Sequence, residues 1–134
     1  MTYLLDTDIC IYLMNGRYPQ VEMRLQQNAP DAVVLSSIVV SELRFGAANS
    51  AHPVRNHATL DIFLSAFEVL SYDNLAAGIY GEIRSFLKNS GRPIGSTDTF
   101  IAAHALANQL TLVTNNVREF SRIPQLKIEN WVEP

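Results

Sequence analysis

"TYLLDTDICIYL", residues 2–13, drives an apolar run straight into two carboxylates, Asp6 and Asp8, and then resumes its apolar side chains at a different spacing. Residues 2–5 are too few for a helix and too continuously apolar for a half-solvated strand, so they read as a strand buried on both faces. From Asp8 onward Ile9, Tyr12 and Leu13 repeat with helical spacing, and Gly16 supplies a stop. The stretch is a strand that turns at once into a helix.

The same alternation continues along the chain. Pro19 to Gln27 reads as a short helix with proline in its first turn. Residues 32–35 (AVVL) form a second strand candidate, and Ser36 and Ser37 offer N-cap hydroxyls to a helix ending near Ala48. A polar connection (NSAHPVRN, 49–56) leads into a helical pattern over 54–66 and a third strand candidate at 67–70 (FEVL). Asn74 to Lys88 reads as a long helix weakened by Gly78 and Gly81. The loop NSGRPIGST (89–97) ends in capping residues for a helix from Asp98 to Asn108. LTLVT (110–114) is the clearest strand, and LKIE (126–129) is a weaker last one. Short apolar strands separated by helices predict parallel crossovers. The expected fold is a single-domain α/β/α sandwich with a central parallel sheet over residues 1–134.

At 134 residues the chain is long enough for a core without disulfides, and 48% hydrophobic with 17% charged residues excludes disorder. A lone Cys10 has no partner, which points to a reducing compartment. No apolar stretch is long enough to span a bilayer, and no basic start precedes a signal-peptide core, so a cytoplasmic protein without membrane contact is expected. The net charge of −3 disfavours nucleic acid as a partner, unless acids share a cation site. Two bound divalent ions would turn −3 into about +1.

The acids fall where such a site would form. Ligands of an open parallel sheet bind beyond the carboxyl ends of its strands. Asp6 follows the first strand there. Glu42 lies about one and a half turns into the helix of SSIVVSELRFGA (36–47), Asp98 begins the helix of GRPIGSTDTFIAAHALA (91–107), and Asn115, Asn116 and Glu119 follow LTLVT. Two carboxylates about 4 Å apart repel by roughly 4 kcal/mol at an effective dielectric near 20, so a cluster of them needs protons or a cation. All-oxygen ligands without Cys or His suit Mg²⁺ or Mn²⁺, and ions held this way serve phosphoryl transfer.

Four stretches carry a resemblance: LLDTDICIYL (4–13), SSIVVSELRFGAA (36–48), RPIGSTDTFIAAHAL (92–106) and LTLVTNNVREFSRIPQLKIENW (110–131). In order and spacing they resemble the four motif regions of PIN-domain ribonucleases. More narrowly, they are similar to the VapC toxins of bacterial type II toxin–antitoxin modules, with enteric members among them. The resemblance implies an Mg²⁺- or Mn²⁺-dependent endoribonuclease that cuts structured RNA, initiator tRNA in its anticodon stem-loop. It also implies a homodimer held in check by a VapB-type antitoxin, with DNA met only through that antitoxin. Carried across, Asp6, Glu42 and Asp98 become the metal-binding and catalytic acids. Many relatives have Asp where this chain has Asn116, so Asn116 or Glu119 completes the site. Thr7 and Thr114 match small hydroxyl positions that support the acids, and Asp8 becomes a helix cap beside them.

Each residue also has a plainer reading. Asp6 and Asp98 are good helix-entry acids in any protein, and His104, nearly two turns beyond Asp98, reads as a partly buried helix histidine. His52 and His57 sit in or near a polar loop. Arg17, Lys88, Arg92 and Arg118 are candidate contacts to RNA phosphates and equally ordinary surface cations. Two other functions compete. DTDIC resembles the D-x-D-x-[TV] motif of haloacid-dehalogenase-type phosphatases, with Asp6 as nucleophile and Asp8 as acid/base, but position 10 is Cys and no strand-end lysine follows. A PIN-fold binding module without catalysis is the non-enzymatic alternative, supported by Asn116.

Overall fold

The structure is a computed structural model that describes residues 1–133. Five strands, β1 (Tyr3–Leu5), β2 (Val33–Ser36), β3 (Glu68–Leu70), β4 (Thr111–Val113) and β5 (Ile128–Glu129), form one sheet in the order β3-β2-β1-β4-β5. Every pairing is parallel. Seven α-helices flank the sheet: α1 (Thr7–Asn15), α2 (Pro19–Gln26), α3 (Ser37–Ala48), α4 (Pro53–Leu64), α5 (Asn74–Asn89), α6 (Ser96–Ala107) and α7 (Val117–Phe120). The expected α/β/α sandwich is the fold observed.

The central strands are the apolar ones. All four residues of β2 and all three of β4 are buried, as are Leu4 and Leu5 of β1, because helices cover both faces of a parallel sheet. FEVL differs from its expected burial. Glu68 and Val69 of β3 are exposed, since β3 is an edge strand. With β5, of two residues, at the other edge, both open edges are too short to recruit another strand.

Boundaries shift where local signals compete with packing. Asn116 opens the four-residue helix α7 inside a stretch that reads only as a polar rim, and Pro30–Ala32 adds a 3-10 turn before β2. Helix α5 runs through Gly78 and Gly81 to Asn89, with Ala76, Ile83 and Leu87 buried along one side. Packing on α6 offsets the roughly 1 kcal/mol each glycine forfeits. Gly16 ends α1 in the left-handed conformation, φ 67°, with its N–H donating to the Tyr12 carbonyl. In the 60–67 segment Leu60 is buried and Ile62 is exposed, while Phe63 and Phe67 touch at 5.0 Å in an intermediate layer.

This layout positions the site. Strand order reverses at β1, whose neighbours are β2 on one side and β4 on the other. That reversal is the switch point at which the crevice of a doubly wound sheet opens. Leu5 pairs with Val113, and the Asp6 N–H donates to the Val113 carbonyl at 2.9 Å. Asp6 and Thr114 therefore leave the sheet side by side, and Ser36 ends the strand on the other flank.

Candidate active site

Asp6 is 5% exposed and caps α1: its Oδ1 accepts from the Thr7 N–H at 2.8 Å, and its Oδ2 accepts from Thr114 Oγ1 at 2.7 Å. The cap role expected of Asp8 belongs to Asp6. Asp8 sits exposed in the first turn of α1, where the helix dipole favours a negative charge. Thr7 supports Asp6 through its backbone N–H rather than its hydroxyl, which is buried without a partner. Thr114 matches its expected support directly, and its hydroxyl oxygen also accepts the Asn116 N–H at 3.0 Å.

Helix α6 starts two residues before Asp98, at Ser96, and its cap position is Gly95, with no side chain closing it. Asp98 is thus an acid in the first turn with its carboxylate free to face the rim. Asn116 donates from Nδ2 to Glu119 Oε2 at 3.1 Å and, more weakly, to Asp98 Oδ2 at 3.5 Å. An aspartate at 116 would add a third negative charge where this amide links two.

Electrostatics ties these acids into one cluster. Asp6 is pushed up to about 6, mainly by burial, against the lowering effect of its two hydrogen bonds; the charges of Asp8 and Glu42 add to the rise. Asp98 is also pushed up to about 6, by burial and then by the charges of Asp6, Glu119, Glu42 and Asp8. Acids from α1, α3, α6 and α7 thus feel one another at a single rim. Among the described residues no three acidic, histidine or cysteine side chains are arranged to hold one ion as they stand. Asp6 spends both oxygens on hydrogen bonds, and the Asn116 amide lies between the other two acids. The donor set is all oxygen and its charge is uncompensated, which fits a hard divalent cation.

The cations are placed less uniformly. Arg118 lies on α7 beside Glu119 and is exposed, as are Lys88 in the last turn of α5 and Arg92 in the loop before α6. Arg17 is not brought to the acids: it follows α1, whose far end lies about 14 Å along the axis from Asp6, with its guanidinium over the Tyr18 ring at 5.1 Å. His57 contacts Arg44, 3.2 Å from Nδ1, and Arg44 pairs with Asp61. A groove of about 300 Å³ opens beside Glu42, walled by Ile11, Met14, Leu43, Ala47 and Leu60. Nothing in the one-dimensional pattern announced it, because its walls come from α1, α3 and α4.

Thr114→Val keeps the shape of the side chain but leaves Asp6 Oδ2 and the Asn116 N–H short of a partner. A loss of about 1–3 kcal/mol is expected in urea unfolding at pH 7.5 without divalent cation, at unchanged denaturant slope. A change within about 0.5 kcal/mol means that water replaces the hydroxyl.

Comparison with known proteins agrees with this geometry. The PIN-domain family model matches residues 3–126. Ribonuclease VapC2 of Rickettsia felis is 42% identical over 135 residues, covering 98% of both chains. The tRNA(fMet)-specific endonuclease VapC of Salmonella typhimurium is 41% identical, again over 98% of both. The structure of DNA-bound VapBC from Salmonella typhimurium superposes with a TM-score of 0.92 at 41% identity, covering 98% of each chain. The phosphatase reading ends with these matches, and it had in any case required Asp8 beside Asp6 rather than exposed on α1. An Asp6-capped switch point, three further acids at one rim and relatives matched from end to end have a single explanation: this chain belongs to the PIN-domain family and, within it, to the VapC ribonucleases.

Proposed function

We propose that the chain is the toxin of a VapBC-type module, an Mg²⁺- or Mn²⁺-dependent endoribonuclease acting in the cytoplasm on structured RNA. The observation that carries this reading is the shared acid cluster, in which Asp6 and Asp98 are each pushed up to about 6. Carboxylates held in a buried rim are ionised at neutral pH only at a cost, from burial first and from one another's charges second, which a bound cation offsets. Asp6 and Asp98 would hold the principal ion, and Glu42 would take a second ion or orient the attacking water and draw off its proton. When bound, the cation makes water a stronger nucleophile and offsets the charge that develops on the scissile phosphate. Asn116 restrains Asp98 and Glu119 through its amide, and Thr114 restrains Asp6. In-line attack by water leaves a 5′-phosphate and a 3′-hydroxyl. The 41% identical Salmonella relative is named for tRNA(fMet), which makes initiator tRNA the first substrate to test.

Relatives solved as VapBC complexes point to an antitoxin partner. The apolar groove beside Glu42 suits an apolar antitoxin segment, and an arginine at its end would compete with the cation for the acids. DNA then meets the chain only through that antitoxin.

The test is end-mapping of initiator tRNA cut by the protein with Mg²⁺, with Mn²⁺ and with EDTA. Cleavage is expected only with a divalent cation and only with 5′-phosphate ends. A 2′,3′-cyclic phosphate product would refute the mechanism, since it reports attack by the ribose hydroxyl. RNA bound under every condition but never cut would instead select the non-catalytic binding module.

A further inference from the structure

We propose that the buried hydrogen bond between Ser36 and His104 sets the spacing of Glu42 and Asp98, making Ser36 and His104 positioning residues for the acid cluster. The inference rests on reading that cluster as a cation site. Ser36 ends β2 and is fully buried; its Oγ accepts the Ile38 N–H at 3.0 Å, which caps α3, and lies 2.6 Å from His104 Nδ1. Glu42 stands six residues after Ser36, and Asp98 stands six residues before His104. Each acid is therefore about 9 Å along its helix from the same bond. The bond thus ties the start of α3 to the last turn of α6, the two helices that carry Glu42 and Asp98 and that pack on each other.

The surroundings leave this bond as the directional contact. Among the described residues it is the one side-chain hydrogen bond joining β2 or α3 to α6. The buried surface of α6 is otherwise Thr99, Ile101 and three alanines. Apolar contact has no preferred direction, whereas a 2.6 Å hydrogen bond fixes both a distance and an angle between α6 and the start of α3.

The His104 ring is itself held. It is 1% exposed, and its edge meets Tyr72, which meets Phe100, which stacks on Tyr80 of α5 at 4.2 Å. A buried polar pair yields little net stability over an apolar pair of equal shape. What it adds here is placement, and cation ligands tolerate displacements of only about 0.2 Å.

The full-length chain is titrated with Mn²⁺ by calorimetry at pH 7.5, and thermal unfolding is followed separately without cation. Ser36→Ala and His104→Leu are each expected to weaken Mn²⁺ binding about tenfold. The double variant should be no weaker than the weaker single variant. His104→Asn keeps a polar atom near the Nδ1 position and is expected to recover most of the affinity. If the variants unfold at lower temperature yet bind Mn²⁺ like the wild type, the bond is merely part of the core and the proposal is overturned. His104→Asn binding as weakly as His104→Leu overturns it too. Should His104→Leu fail to fold, Ser36→Ala against His104→Asn decides by the same criteria. Asp6→Asn serves as the control: if it binds Mn²⁺ as tightly as the wild type, the cation-site reading itself fails, and this proposal fails with it.

Discussion

Asp6→Asn is expected to abolish RNA cleavage and, in the same protein without cation, to raise stability above pH 7. The two effects have opposite signs because one carboxylate serves opposite ends. Its negative charge is what a divalent cation needs, so the loss of cleavage is expected to reach about 10³-fold. Without the cation that charge is buried and faces the charges of Asp8 and Glu42, which is why Asp6 is pushed up from 3.8 to about 6. A shift of this size corresponds to about 3 kcal/mol of penalty on the ionised folded state. Asparagine keeps the size of the side chain and an oxygen for the Thr7 N–H, but carries no charge at any pH. Guanidinium unfolding at pH 8 in EDTA is therefore expected to show the variant ahead by a large part of that figure. If Asp6 were only a helix cap, removing its charge would weaken its interaction with the helix dipole. A variant less stable than the wild type at pH 8, or one still able to cut RNA, sinks the active-site assignment.

The stability of the cation-free protein should fall as pH rises from about 4 to about 6. The sign follows from proton counts. Asp6 and Asp98 titrate near 3.8 unfolded and near 6 folded, so between those values the folded chain binds more protons. Their favourable contribution is complete below 3.8 and is lost as pH passes 6. Asp6 supplies about 3 kcal/mol of the change; half-exposed Asp98 has the same sign and contributes less because solvent screens it. A divalent cation bound to the ionised acids would reverse the trend. With saturating Mg²⁺ the thermal midpoint should rise above that in EDTA, and the gap should widen from pH 5 to pH 8. Parallel pH profiles with and without Mg²⁺ would mean that the cation binds elsewhere.

Much of this was legible one residue at a time. Residues 2–5 are apolar without a break, so they had to lie inside a parallel sheet, and the change of spacing after Asp6 forced a helix to start there. The element order came through because the longer helices carry apolar residues at helical spacing and each central strand is mostly apolar. Asp98 was harder. Ser96 and Thr97 look like caps, but α6 begins at Ser96 with Gly95 at the cap position, and three adjacent residues that all favour a helix start do not say which of them begins it. The four-residue α7 was missed for the related reason that it is too short to show a period. Arg17 looked like any other rim cation until the length of α1 carried it away from Asp6.

What the sequence determined by itself is the layering and the chemical kind of the site, because periodicity and residue type are local properties. It also marked Asp6, Asp98 and Glu119 as acids near element ends and Glu42 as an acid in the helix after the second strand. Only the tertiary structure decided that β4 lies next to β1, so that Thr114 binds Asp6, that Asn116 links Asp98 to Glu119, and that Ser36 meets His104 across 68 residues of sequence. Those contacts depend on which strands are neighbours. Strand order is set by how helices from distant segments pack over both faces at once, and no single window of sequence contains that information.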